Sequence, residues 1–416
     1  MPFAQLGLAP ALVHAVREQG FLSPTPIQRA AIPLILQGRD VRAQAQTGSG
    51  KTAAFALPLL QQWLARPMVK PRRLGALVLV PTRELAAQVG ETLRQLGELL
   101  AEAPKVVIAF GGVSINPQML RLRGGADIVV ATPGRLLDLV DHNALQLGDV
   151  ATLVLDEADR LLDLGFADEL KRILALLPAR RQNLCFSATF PPAVQTLTDA
   201  LLRDPARVEI EAEAARAAQI AQRAIAVDTT RRTALLKALL AEHRWSQVLV
   251  FVASKSAADN LADKLYRAGI DAAPFHGELS QGRREQVLAD FKASRWQVVV
   301  ATDVAARGID IDRLPAVVNY DLPRSPTDYV HRIGRTGRAG ESGVAISFVS
   351  PATEAHFRLI EQRQQQRVPR ECIPGFEPTE IAPPASVTDP DGTGGIKGKR
   401  KSKKDKLREA AGKTGD

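Results

Sequence analysis

Apolar residues in the first half of this chain come in short unbroken runs, at 77–80, 106–110, 128–131, 152–155 and 183–186. Runs apolar on both faces predict strands buried on both sides, as in parallel sheets. Between them, stretches such as 83–100 and 166–177 carry apolar residues at helical spacing and predict amphipathic helices. The second half repeats the habit with runs at 248–252, 298–301, 317–320 and 345–349. Strand–helix alternation in both halves predicts two parallel-sheet α/β domains, over 1–205 and 221–368. The stretch 206–220 is rich in Ala and Glu, lacks a strong strand signal, and reads as the linker. Beyond 368 prolines, glycines and then lysines accumulate, so 369–416 reads as a disordered basic tail that cannot bury enough apolar surface to order itself.

Composition narrows this picture. A chain of 416 residues, 45% hydrophobic and 24% charged, can fill two ordinary cores. No apolar stretch of about 18 residues is present, so no membrane span is expected. The N-terminus has no basic-then-apolar signal pattern. Two cysteines, Cys185 and Cys372, and no Cys/His cluster argue against structural zinc and for the cytoplasm. Net charge is +9, and residues 391–416 hold nine Lys/Arg against four Asp/Glu, so +5 of it lies in the tail. Such a balance favours polyanionic partners.

The candidate chemistry clusters where strands end. The run 152–155 leads into Asp156-Glu157-Ala158-Asp159, placing carboxylates outside the carboxyl end of a parallel strand. One acid there can hold Mg²⁺ while its neighbour orients an attacking water. Upstream lies Ala45-Gln46-Thr47-Gly48-Ser49-Gly50-Lys51-Thr52, between a short strand at 40–43 and a helix at 53–64. Such a loop presents free N–H groups and a helix N-terminus to phosphates; Lys51 reaches them and the Thr52 hydroxyl can ligand Mg²⁺. Its first position is Ala rather than Gly, still small enough for a tight loop. Together the two segments predict an ATP-type site.

Other strand ends feed helix starts of one kind. Pro81-Thr82-Arg83 follows one strand and Thr132-Pro133-Gly134-Arg135 another, each with an arginine where capping would favour an acid. Helix N-terminus plus arginine is a natural phosphate grip, and Gly111-Gly112 closes a further strand. Pro24-Thr25-Pro26-Ile27-Gln28 is a capped helix start whose glutamine amide can pair with an adenine edge. In the second half, His331-Arg332-Ile333-Gly334-Arg335-Thr336-Gly337-Arg338 suits a polyphosphate clamp, and an arginine delivered from a second lobe would complete the site only on closure.

Taken in order, these segments resemble the DEAD-box RNA helicases of helicase superfamily 2, and among bacterial branches the RhlE-type proteins. The resemblance runs from Phe3 to Val368. It also takes in Gly20-Phe21, Ser187-Ala188-Thr189, Val250-Phe251, His276-Gly277 with Gln281 and Arg284, and Ala301-Thr302-Asp303 through Arg307-Gly308-Ile309-Asp310.

That resemblance implies two RecA-like lobes binding ATP-Mg²⁺ and single-stranded RNA between them. It assigns Phe21, Gln28 and the loop Ala45, Gln46, Thr47, Gly48, Ser49, Gly50, Lys51 and Thr52 to the nucleotide, with Asp310 at the ribose. Thr52 and Asp156 would organise Mg²⁺, Glu157 would orient water, and Arg335 and Arg338 would meet the phosphates. Pro81, Thr82, Arg83, Gly112, Thr132, Pro133, Gly134, Arg135 and Thr302 would grip the RNA backbone. Ser187, Thr189 and His331 would couple the two sites through Asp159. The implied activity is RNA-stimulated ATP hydrolysis that unwinds short duplexes or remodels RNA–protein complexes, with ribosomal or degradation-complex proteins as candidate partners and no membrane. An RNA-dependent clamp with weak unwinding and a DNA-translocating motor are the alternatives.

Overall fold

The computed structural model describes residues 2–46, 48–67, 69–210, 220–306, 314–337 and 343–380. Its first sheet comprises β1 (Val41–Gln44), β2 (Ala76–Leu79), β3 (Val106–Ala109), β4 (Ile128–Ala131), β5 (Thr152–Leu155), β6 (Gln182–Ser187) and β7 (Ala206–Glu209). The strand order is β3-β4-β2-β5-β6-β1-β7, and every pairing is parallel. The second sheet holds β8 (Ile220–Ala226), β9 (Val248–Val252), β10 (Ala272–Phe275), β11 (Val298–Thr302), β12 (Ala316–Asn319), β13 (Gly343–Val349) and β14 (Arg370–Glu371). Its order, β10-β11-β9-β12-β13-β8-β14, repeats the first position for position, again all parallel. The two halves are therefore one topology used twice, although no sequence repeat announces it.

Helices cover both faces of each sheet, which is why the strands read as continuous apolar runs. In the first lobe Val78, Val130, Val154 and Phe186 face one cluster with Ile27, Ile32 and Phe55. Their neighbours Leu77, Val129, Leu153 and Cys185 face the other, with Leu136, Leu161 and Ile173. The rings of Phe55 and Phe186 meet at 5.3 Å, tying the helix Lys51–Leu64 to β6. Cys185 is fully buried, which pushes its thiol up to about 12 and leaves it inert.

Two expected boundaries need correction, and for the same reason. Residues 206–209 of the expected linker form β7, an edge strand of the first sheet beside β1. Residues 370–371 of the expected tail form β14, which occupies the same edge position in the second sheet. The chain then runs back over the second lobe as far as Glu380. There the N–H groups of Thr379 and Glu380 donate to Asp228 at 2.9 Å, and Arg231 lies over the Phe376 ring. Short edge strands carry few apolar residues, so their signal is weak. β10 was missed likewise; its Pro274 is tolerated because β10 is itself an edge strand. The remaining linker residues 211–219 and the stretch 381–416 lie outside the described residues. Among the described residues no helix is long and apolar enough to cross a membrane.

Candidate nucleotide and nucleic-acid site

The phosphate loop grows out of β1. The Ala45 N–H donates to the Ser187 carbonyl at 3.1 Å, extending the β1–β6 ladder to the loop's first residue. Gly48 (φ 76°) and Gly50 (φ 93°) then turn the chain through the left-handed region, where glycine carries no Cβ penalty. The helix Lys51–Leu64 starts at once, so its first N–H groups open toward the loop. Lys51 is buried and folds back so that Nζ donates to the Ala45 carbonyl at 2.8 Å. An anionic phosphate is a stronger acceptor than that neutral carbonyl. Thr47 lies outside the described residues.

Gln28, also buried, spans from the N-terminal helix to this loop. Its Nε2 donates to the Gly50 carbonyl at 3.1 Å and its Oε1 accepts from the Thr25 N–H at 2.9 Å. The amide therefore reports on loop position in addition to whatever base it meets. Phe21 packs half-buried against the same core.

Asp156 follows β5 and is almost fully buried. Burial, opposed by Lys51 and reinforced by Glu157, pushes its carboxyl up to about 7. A single buried carboxylate is a donor that suits Mg²⁺, which takes few protein ligands and completes its shell with phosphate and water oxygens. Glu157 adopts φ 52°, ψ 53°, a left-handed conformation disfavoured for a residue with a side chain, and caps the helix Ala158–Asp163.

Asp159 joins this run to the Ser187-Ala188-Thr189 turn. Its Oδ2 accepts from the Thr189 hydroxyl at 2.8 Å and the Thr189 N–H at 3.1 Å. The Asp159 N–H donates to Ser187 Oγ at 3.2 Å, and Ser187 Oγ donates to the Thr189 carbonyl at 2.7 Å. A shift of either segment therefore moves the other.

The second lobe closes on this surface. Glu157, Arg160, Asp328, His331 and Arg335 line one cleft together with Arg332 and Asp303. Ion pairs cross between the lobes. Arg160 Nη1 donates to Asp328 Oδ1 at 2.9 Å, and Arg284 Nη2 lies 2.7 Å from Glu84 Oε1. Burial raises the Glu84 carboxyl and lowers the Arg284 guanidinium, each opposed by its partner's charge. Burial, followed by the charges of Arg160 and Arg335, lowers His331 and keeps it neutral. Arg332 is fixed elsewhere: it donates to Asp303 at 2.6 and 2.7 Å, to Asn319 at 3.1 Å, and lies over the Phe251 ring. It holds the segment after β11 against the helix Pro326–Ile333, which presents His331 and is followed by Arg335. Asp310 and Arg338 lie outside the described residues.

The expected nucleic-acid contacts gather at the carboxyl ends of β2, β3, β4 and β11. Pro81 and Thr82 are buried, and Thr82 Oγ1 caps the helix Arg83–Glu98 by accepting from the Leu85 N–H at 3.2 Å. Thr132 caps the helix Pro133–Asp141, with Pro133 at its first position. At Gly134 a Cβ would meet nothing, leaving the backbone there open. At Gly112 (φ 77°) it would collide with the Arg83 guanidinium, so Arg83 rests on that glycine. Arg135, read from the sequence as a phosphate grip, is buried, and its Nη2 donates to the Val113 carbonyl at 2.7 Å. The helix cap must point its amides outward, so the arginine stem turns inward and braces the glycine loop. Thr302 ends β11, half-buried.

Sequence reasoning missed Glu84, Arg160 and Asp328 as site residues. Their only sequence signal is position: each sits within or next to a motif, charged where a helix turns its face inward.

The chain matches the family "DEAD/DEAH box helicase" over residues 25–197 and "Helicase conserved C-terminal domain" over 231–340. It is 42% identical over 366 residues to the ATP-dependent RNA helicase CshA of Listeria monocytogenes, covering 88% of this chain and 69% of that protein. Among solved structures it resembles S. cerevisiae Dbp5 bound to RNA and ADP BeF3, with a TM-score of 0.79, 33% identity, and coverage of 89% and 95%. A variant of Dbp5 bound to Nup159, Gle1, IP6 and ADP scores 0.60, with 32% identity and coverage of 88% and 96%.

Proposed function

The chain belongs to the DEAD-box family of ATP-dependent RNA helicases, and on that premise we propose that it hydrolyses ATP on binding single-stranded RNA and uses the lobe cycle to separate short duplexes or remodel RNA–protein complexes. The observation that carries this reading is the shared cleft, in which Glu157 of one lobe faces His331 and Arg335 of the other. Neither lobe holds all the groups that hydrolysis needs, so turnover requires closure.

Lys51 and the loop amides bind the phosphates of ATP in the first lobe, and Glu157 orients the water for in-line attack. The water oxygen bonds to the γ-phosphorus as the bond to the ADP oxygen breaks. Arg335 stabilises the charge that spreads over the equatorial oxygens. Mg²⁺ held at Asp156 and Thr52 would neutralise phosphate charge. Asp159 passes the state of the site to Thr189, and from there to the strand-end loops that meet RNA. The Gly134 N–H, open at the start of its helix, recognises a phosphate rather than a base, which implies little sequence preference. The RhlE-type branch, the cytoplasmic location and ribosomal or degradation-complex partners rest on the sequence reading alone.

The test is steady-state ATP hydrolysis with no nucleic acid, with single-stranded RNA and with single-stranded DNA. A Glu157→Gln variant serves as the control. Strong stimulation by RNA, lost in Glu157→Gln with nucleotide binding retained, is the expected result. Equal stimulation by DNA, or near-normal turnover in the variant, overturns the reading.

A further inference from the structure

At the edge of the first sheet opposite the cleft, the loops preceding β2, β3 and β4 meet, because those three strands are neighbours. The Arg72 N–H donates to the Gly124 carbonyl at 3.1 Å, Lys105 Nζ to the Arg123 carbonyl at 2.7 Å, and the Lys105 N–H to Asp127 at 2.7 Å. Gly125 (φ 82°) makes this possible, since a Cβ there would collide with the Arg72 carbonyl. Zipping the loops together concentrates cations. Residues 65–75 alone hold four Lys/Arg and no Asp or Glu.

The nearby acids do little to offset them. Asp127 is taken up by Arg72, and Asp149 lies 3.4 Å from Arg73; Glu98 and Glu102 point to solvent. Arg66, Lys70, Arg121 and Arg123 are all exposed, and make no ion pair among the described residues. Four uncommitted cations on one edge need a physical account beyond solubility, because like charges held together repel.

We propose that this edge is a second RNA-binding surface, taking the phosphate backbone of a folded RNA while the cleft works on its single strand. The inference rests on the RNA-helicase reading above. It favours backbone over bases because the loops 65–75 and 121–127 contain no aromatic residue on which a base could stack. Lysine and arginine at phosphates release counterions, so the affinity they give is salt-dependent and blind to sequence. A surface on the far edge lets the enzyme stay on a structured RNA while the lobes open and release the strand.

The test compares binding of the full chain to a long RNA hairpin and to a single strand of about ten nucleotides, a length within one groove's site size. Fluorescence anisotropy is read across a salt series for wild type, for Lys70→Gln/Arg121→Gln/Arg123→Gln, and for the set with Arg66→Gln added. The triple variant spares Arg66, which packs on Gly75, and so guards against misfolding. Hairpin affinity is expected to fall about tenfold near 0.1 M salt, with a log–log salt slope shallower by about two to three. The ratio of hairpin to single-strand affinity falls with it, and Arg→Lys replacements restore it. An unchanged hairpin affinity and slope in both sets overturns the proposal. If wild type binds neither RNA, the RNA-helicase reading falls as well, a distinct result.

Discussion

Arg160, one residue past the acidic run of the first lobe, donates to Asp328 of the second lobe at 2.9 Å, with the two side chains 3% and 12% exposed. A buried pair of this kind is costly to break from one side, about 3–5 kcal/mol, because the other charge is left without compensation. Here the cost falls on lobe closure rather than on the folding of either lobe. Arg160→Ala is therefore expected to lower RNA-stimulated turnover at least about tenfold while each lobe keeps its melting temperature. A double-mutant cycle with Asp328→Asn should be strongly non-additive. Additive losses would mean that the two residues act separately.

Glu157 combines its role with strain. At φ 52° its backbone costs roughly 1 kcal/mol that a glycine would not incur. Glu157→Gly should abolish turnover and leave the first lobe as stable as wild type, or more stable by up to about 1 kcal/mol. Thermal unfolding of the variant checks this; a clear loss of stability would mean that the carboxylate itself supports the fold.

His331 gives the closed state a pH dependence. Burial, Arg160, Arg335 and Lys51 lower its basicity below the ordinary value of 6.5, and Asp159 only partly opposes them. The open or unfolded state then binds more protons, so stability is full above about pH 6.5 and falls as the pH drops below it. The Asp156 carboxyl, pushed up to about 7, acts in the opposite sense over the same range, so the readout is a difference: between pH 7 and 5 the melting temperature of His331→Gln should rise relative to wild type. Equal slopes would remove His331 as the cause.

The strap after β13 belongs to the second lobe and not to the tail. Arg370 is held by Glu354 and Glu361 at 2.9 Å and lies over the Phe357 ring. Ending the chain at residue 368 should lower the melting temperature of the second lobe by several degrees. Ending it at 380 should not. Similar midpoints for the two truncations would make the strap dispensable.

The fold class was legible because parallel strands buried on both faces must be apolar throughout, as at Val78 and Val129. The edge strands β7 and β14 were hidden because they carry few apolar residues, unlike the edge strand β3. Ala206-Arg207-Val208-Glu209 alternates buried and exposed, a four-residue signal that an Ala/Glu-rich context obscures. The bond from Arg135 to the Val113 carbonyl was not legible either: its spacing marks a helix start but says nothing about which way a long side chain turns.

The sequence by itself determined the local chemistry. The glycines at 48 and 50, the lysine after them and the acids after β5 mark a candidate nucleotide loop wherever that loop sits, since backbone conformation and charge are local properties. Only the tertiary structure decided the pairings Glu84–Arg284 and Arg160–Asp328, the lowered basicity of His331, and the cation cluster at the far edge. Each depends on residues far apart along the chain being brought within a few ångströms and shielded from water, and no periodicity or motif spacing encodes that distance.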